Sequence, residues 1–324
     1  MIRQLPPPNR LGPAFAVRAG RWLWATCGVL VLIASSGAGC PRMLQQYTQP
    51  IPRALPPSPS LDQVVDVVND NSSRLSSLSA PKATVTVPGL PSLNANIAFQ
   101  RPRSFRLVAQ KFMGTELDLG SNEELFWFWV RRAQPPALYF CRHEQFAASA
   151  ARQMMPVEPE WLIEALGIIT FDRTGQIEGP FPVGSGRVEI RTRSVTSSGP
   201  RSRIVIIDES RGVVLENHIY DAQGVRLASA ILSDHKHDPA TGVKLPRLVE
   251  IQLPPAKMSL SLELGDVLVN QLTATPEQLF TKPVYPGYTE VDLAQPGGLV
   301  PIGPPPASAG TSAQLRAAPD IRYQ

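Results

Sequence analysis

Two histidines stand two residues apart in "SDHKHDPATG", residues 233–242. A strand through them would put His235 and His237 on one face, with Asp234 or Asp238 close by. Two imidazoles with one of these carboxylates could ligate a metal. No third ligand can be placed, and Asp238-Pro239 reads as the turn of a solvated hairpin tip, the alternative. Cys141 in "ALYFCRH" has His143 two residues on. A thiolate nucleophile needs a base held by a third group; otherwise a lone cysteine in an apolar strand is a small core residue. Asp118 could pair with Glu123 or Glu124 as acid and base, but the turn beside them should be solvated, with no burial to raise a pKa. "VGSGR" has the glycines of a phosphate loop without its spacing or lysine, and neither an HExxH helix nor a nucleophile elbow is present. These absences predict a chain that is not an enzyme, with no metal and no cofactor.

The densest chemistry is apolar. "SNEELFWFWVRR", residues 121–132, sets Phe126, Trp127, Phe128 and Trp129 in a row although only 7 % of the chain is aromatic. A strand shows alternate residues on opposite faces, so large rings would project from both. Either one face lines a cavity, or the strand is buried on both sides in a dry core; periodicity does not separate the two.

The ends of the chain bear on where such a strand would work. Residues 1–39 carry Arg3, Arg10, Arg18 and Arg21, no acid, and the apolar run "WLWATCGVLVLIA" before "SSGAGC". A basic start, a short apolar core and small residues read as a secretory signal peptide. The run is shorter than the roughly 20 residues of a spanning helix; the alternative is an uncleaved amphipathic anchor. Beyond residue 39 the charge balances, at 27 basic and 27 acidic residues. No basic surplus marks a nucleic-acid partner. With Cys27 in the signal segment and Cys40 at its end, Cys141 has no disulfide partner.

The strand must be positioned by the rest. Ser60 with Gln63 forms a capping box, and Val64, Val65, Val68, Leu75 and Leu78 follow as a helical stripe. "KATVTVPG", "LNANIAFQRP", "SFRLVAQKF", "TELDLGSN", "ELFWFWVRR" and "ALYFCRH" are strands too closely spaced for crossover helices, so they are antiparallel. A helical interlude, "EQFAASAARQMM" and "EPEWLIEALG", precedes six further strands, and Thr275 caps a last short helix, "TPEQLF". Eleven or twelve such strands with a few amphipathic helices predict a mainly β (α+β) fold: an open antiparallel half-barrel with helices covering its concave, apolar side.

"KFMGTELDL" within residues 105–122, the "EWLIEALG" helix and "LPRLVEIQLP" before "MSLSLELGDVLVN" carry a resemblance to the outer-membrane lipoprotein receptor LolB and, more loosely, to its carrier LolA. "GAGC" likewise resembles a lipobox, which implies lipidation at Cys40, although Gly37 stands where a larger aliphatic residue is usual. The resemblance implies a cavity for acyl chains and an exposed aliphatic residue before Gly114, here Met113 beside Phe112. Phe105, Leu107, Leu117, Leu119, Trp127 and Trp129 are the candidate cavity wall, with Phe126 and Phe128 the other choice for the aromatic strand. Burial gains about 0.8 kcal/mol per methylene, so such a wall could hold an acyl chain without charged contacts. The Phe112-Met113 tip either touches lipid or a partner, or folds back on the core.

The expected organisation is thus a signal peptide over 1–39, a Pro-rich tether over 40–59, a lipid-binding domain over 60–285 and a disordered Pro/Gly/Ala-rich tail over 286–324. The expected partners are lipid or lipidated-protein cargo, a membrane through Cys40, and a periplasmic carrier protein. The expected location is the cell envelope facing the periplasm, the outer membrane before the inner because Pro41 replaces the aspartate that retains lipoproteins inside. The rival reading is a structural or assembly lipoprotein, using a filled version of the fold as a protein-binding platform.

Overall fold

The computed structural model describes residues 53–295. Cys40, the signal segment and residues 296–324 lie outside them. Among the described residues no helix is long and apolar enough to cross a membrane.

The chain enters on a helix, Leu61–Ser73, started as its sequence dictates: the Gln63 amide donates to Ser60 Oγ and the Ser60 amide to Gln63 Oε1. Val64, Val65 and Val68 are buried. The apolar stripe does not continue as helix through Leu78. Arg74 caps the helix, and Leu78 is buried from a strand instead, because period-2 pairing takes over at Ser77.

Six strands follow: β1 (Ser77–Thr86), β2 (Leu93–Gln100), β3 (Ser104–Lys111), β4 (Gly114–Ser121), β5 (Leu125–Val130) and β6 (Ala137–Arg142). The helical interlude is more broken than its alanines predict. It has a 3-10 turn at His143–Ala148 and short helices at Ala151–Met154 and Trp161–Glu164. Ser149 interrupts it, extended at ψ 162° and using Oγ to accept from the Ala151 amide and donate to Phe146 O. Then come β7 (Gln176–Pro182), β8 (Arg187–Thr196), β9 (Gly199–Asp208), β10 (Val213–Tyr220), β11 (Arg226–Ser233), β12 (Lys236–His237), β13 (Lys244–Leu245), β14 (Leu248–Leu253), β15 (Met258–Glu263) and β16 (Leu268–Val269). After the capped Pro276–Phe280 helix comes β17 (Thr289–Asp292).

One sheet holds fifteen of these strands in the order β17-β6-β5-β4-β3-β2-β1-β15-β14-β11-β10-β9-β8-β7, with β16 against β1. Every pairing is antiparallel except β17 on β6. β17 and β7 stand at opposite edges, so the sheet is open. It is also strongly curled. The Leu61–Ser73 helix, about 20 Å long, accepts at Ser72 O from Arg101 beside β2 (2.7 Å) and also packs on β7. β7 lies eight strands away in the order, about 38 Å if the sheet were flat. The fold is therefore an open half-barrel, its concave face packed on that helix and the Trp161–Phe171 segment in one core cluster.

Part of the segment expected as tail from residue 286 is structured. Thr289–Asp292 pairs in parallel with Ala137–Phe140, and Leu293 is buried. Val291 and Leu293 are a short period-2 run that the surrounding Pro and Gly hide. At the other end Leu55, in the segment read as tether, is buried, with its amide donating to Glu209 O.

Candidate functional site

Register settles which way the aromatic strand faces. Leu107 pairs with Leu119 and Leu119 with Phe128; Phe105 pairs with Ser121 and Ser121 with Phe126. Paired residues share a face, and Phe105 and Leu107 belong to the concave core. Phe126 and Phe128 therefore point to the concave side with Phe105, Leu107, Leu117 and Leu119. Trp127 and Trp129 point to the convex side. The wall expected from six residues thus loses the two tryptophans to the opposite face and gains the two phenylalanines.

The concave side is covered. Phe146 covers Phe126 edge-on at 5.7 Å, while Phe128 stacks on its neighbour in β6, Tyr139, at 5.1 Å. Leu162 and Met155 close over Phe105, Leu119 and Phe128, leaving about 20 Å³. That admits one water and is far below the 300–1,000 Å³ of ordinary ligand pockets. A larger hollow, about 550 Å³, opens between the Ala147–Pro156 segment and the β8–β9 and β10–β11 turns.

The convex side explains the tryptophans. Trp129 stacks on Tyr285 at 4.0 Å and 7°, and meets Tyr288 edge-on at 5.0 Å. The chain from Gln271 to Leu293 runs as a strap across this face before adding β17 to β6. Beneath it Asp118 is wholly buried, which corrects the expectation that it is solvated. Its carboxylate accepts from Arg106 (2.7 and 3.2 Å), Trp127 Nε1 (3.3 Å) and the Tyr285 hydroxyl (2.6 Å). Burial, then the hydrogen bond to Asp118 and the Asp118 charge, raises the Tyr285 phenol. Arg106 also donates to Leu279 O, tying the strap again. Gly120 makes room for Trp127: a Cβ there would sit 2.2 Å from the indole. Sequence reading missed Tyr285 and Tyr288. Their signal was "YPGY", two amphipathic rings in a segment otherwise short of large apolar groups.

The β3–β4 hairpin turns on two residues, Phe112 and Met113, with Gly114 at φ +115°. Both side chains are in solvent, at 112 % and 85 % exposure, rather than folded back. Arg131 holds the loop by donating to Met113 O at 3.1 Å. Antiparallel order brings the β1–β2, β3–β4, β8–β9, β10–β11 and β14–β15 turns to the same end of the half-barrel. Leu90, Val195, Val225 and Met258, all exposed, lie at that end too.

The other chemical candidates do not assemble. Glu123 and Glu124 remain exposed in the β4–β5 turn, away from the convex strand face that holds Asp118. Burial pushes the Cys141 thiol up, and its bond is to Arg142 O. His143 instead contacts Asn122 O, Ser121 Oγ and, at 3.4 Å, Glu160. His235 is held down to about 4, by burial first and Arg211 second, and lines a small hollow with Val68, Asn71 and Lys244. His237 lies in a different hollow, with Asp238 and Arg247. No cluster of three metal-ligating side chains occurs among the described residues.

No protein-family model matches the chain, and no curated protein does. Solved structures similar to it include a putative outer membrane lipoprotein-sorting protein domain from Vibrio parahaemolyticus, 10 % identical over 67 % of this chain and 97 % of that one, TM-score 0.47. A DUF1329 family protein from Desulfovibrio piger is 8 % identical over 68 % and 96 %, TM-score 0.44. A LolA superfamily protein from Nitrosomonas europaea is 10 % identical over 67 % and 97 %, TM-score 0.40.

Proposed function

We propose that this chain is a lipid-anchored envelope protein, held at Cys40, that binds acyl chains of lipids or lipoproteins between its concave sheet and the His143–Phe171 cover for transfer or membrane insertion. One observation carries the reading. Phe112 and Met113 stand in solvent on a hairpin tip, at the end where four further apolar side chains are exposed. Apolar residues gathered at one end mark a contact surface. Lys111, Arg132, Arg226 and Lys257 are exposed there as well, and basic residues at a surface attract anionic lipid headgroups. The cover suits reversible opening: it is made of four- to six-residue helical pieces rather than a long helix.

The filled interior favours a second reading, the protein-binding platform, since only about 20 Å³ is open beneath the cover. Native mass spectrometry with a synthetic diacylated lipopeptide separates the two. Acyl binding predicts a one-to-one complex that Leu119→Glu, on the concave face, abolishes while Gln110→Glu, on the convex face, does not. A folded protein free of co-purified lipid that retains no lipopeptide would support the platform. Flotation with anionic vesicles tests the tip: Phe112→Ser with Met113→Ser should cut vesicle binding at least tenfold. Stability should stay within about 0.5 kcal/mol because nothing packs on either side chain.

A further inference from the structure

The 550 Å³ hollow at the mouth of the concave side is amphipathic in a particular order. Its floor is Leu227, a buried member of the concave core, and its rim carries Arg152, Arg201, Ser198 and Gln153. Arg201 follows the alternation of β9, whose Arg203, Val205 and Ile207 also face the concave side. Arg203 is neutralised there, bonded to Glu164 and to Asn217 Oδ1 (2.9 Å). Arg201 has no carboxylate within ion-pair distance among the described residues, and its Nε is buried without an acceptor. Ser198 Oγ, on the same rim, is also buried without a partner. Arg152 donates to Ala147 O and Ser198 O, which uses its fork only in part. The acid on the rim, Asp221, turns Oδ1 to the Gln223 and Val225 amides. Two guanidinium groups against one carboxylate leave the hollow positive.

We propose that this hollow receives the phosphate head of an anionic amphiphile, gripped by Arg201 and Arg152, while its acyl chains pass beneath the cover. Guanidinium forks match phosphate oxygens in pairs, which a neutral head cannot use. The Gln153–Pro156 turn stands between the two spaces: Gln153 and Pro156 line the hollow, and Met155 lines the narrow gap over Phe105 and Phe128. Displacing Met155 joins them into one path from a charged mouth to an apolar interior. The proposal rests on the acyl-binding reading and adds the class of head.

The test is native mass spectrometry of the full chain released from detergent micelles, with dipalmitoyl phosphatidic acid, dipalmitoylglycerol or inorganic phosphate. Phosphatidic acid should bind at least about tenfold more tightly than dipalmitoylglycerol, the increment of one charge-assisted contact. Arg201→Gln should remove that advantage. Arg201→Lys, which keeps the charge, should retain part of it, and Arg142→Gln, at the opposite end, should change nothing. Circular dichroism reports whether each variant is folded. Equal binding of the two lipids by the wild-type chain would overturn the head site and leave acyl binding standing. Retention of neither by folded protein would overturn both. Phosphate held as tightly as phosphatidic acid would mean a free-anion site and refute the amphiphile.

Discussion

Replacing Asp118 by Asn keeps its shape and removes its charge. The side chain is fully buried and Arg106 is 18 % exposed, so the guanidinium would lose its counter-charge in a largely dry place. Breaking one side of a buried pair costs about 3–5 kcal/mol. The Arg106 exposure argues for the lower end, about 3 kcal/mol. Part of that loss falls on the strap, because Tyr285 would donate to a neutral oxygen and Arg106 also holds Leu279 O. Removing both charges should cost much less, since an apolar pair of similar volume can replace a buried ion pair nearly without loss. Asp118→Leu with Arg106→Met should therefore be more stable than the sum of the single changes by about 2 kcal/mol. Urea unfolding measures this. With a slope near 2–3 kcal/mol per molar, Asp118→Asn should lower the midpoint by about 1 M. Limited proteolysis should then cut first between residues 271 and 288. A loss below about 1 kcal/mol, or additivity in the double variant, would refute the view that this network fastens the strap.

Gly120→Ala should destabilise the fold by about 1–3 kcal/mol and shift Trp fluorescence, because the Trp127 indole occupies the place of the new methyl; an unchanged melting temperature would contradict it. His235 has a folded pKa near 4 against an ordinary 6.5, so the unfolded chain takes the proton first. Its contribution is full above about pH 6.5 and is lost as pH falls toward 4. The urea midpoint should drop between pH 7 and 5 in the wild type and drop less in His235→Gln. A parallel fall in both would assign the loss to other groups.

Much of the scaffold was legible locally. Ser60 and Gln63 announced the first helix, Thr275 the last, and the period-2 runs from Lys82 to Cys141 pointed to six antiparallel strands, since caps and alternation act over a few residues. The tip was legible only as a choice: the resemblance implied an exposed Met113 beside Phe112, folding back on the core stayed open, and the two-residue turn between β3 and β4 leaves both side chains in solvent. The helical interlude was less so, because alanine propensity yields to packing against the sheet. Asp118 was misread because its partners stand 12 residues before it and 167 after it.

Local chemistry sets the alternation within each segment: in "LFWFWV", Phe126 and Phe128 share one side and Trp127 and Trp129 the other. The sequence by itself could not say which side is concave, since both sets are rings and both faces are buried. Tertiary structure decided that through registers reaching from β3 to β6 and through two covers from distant chain, Phe146 on one face and Tyr285 on the other. The two differ in range: alternation follows from the geometry of consecutive peptides, whereas the sign of a face is set by whatever surface the rest of the chain brings to it.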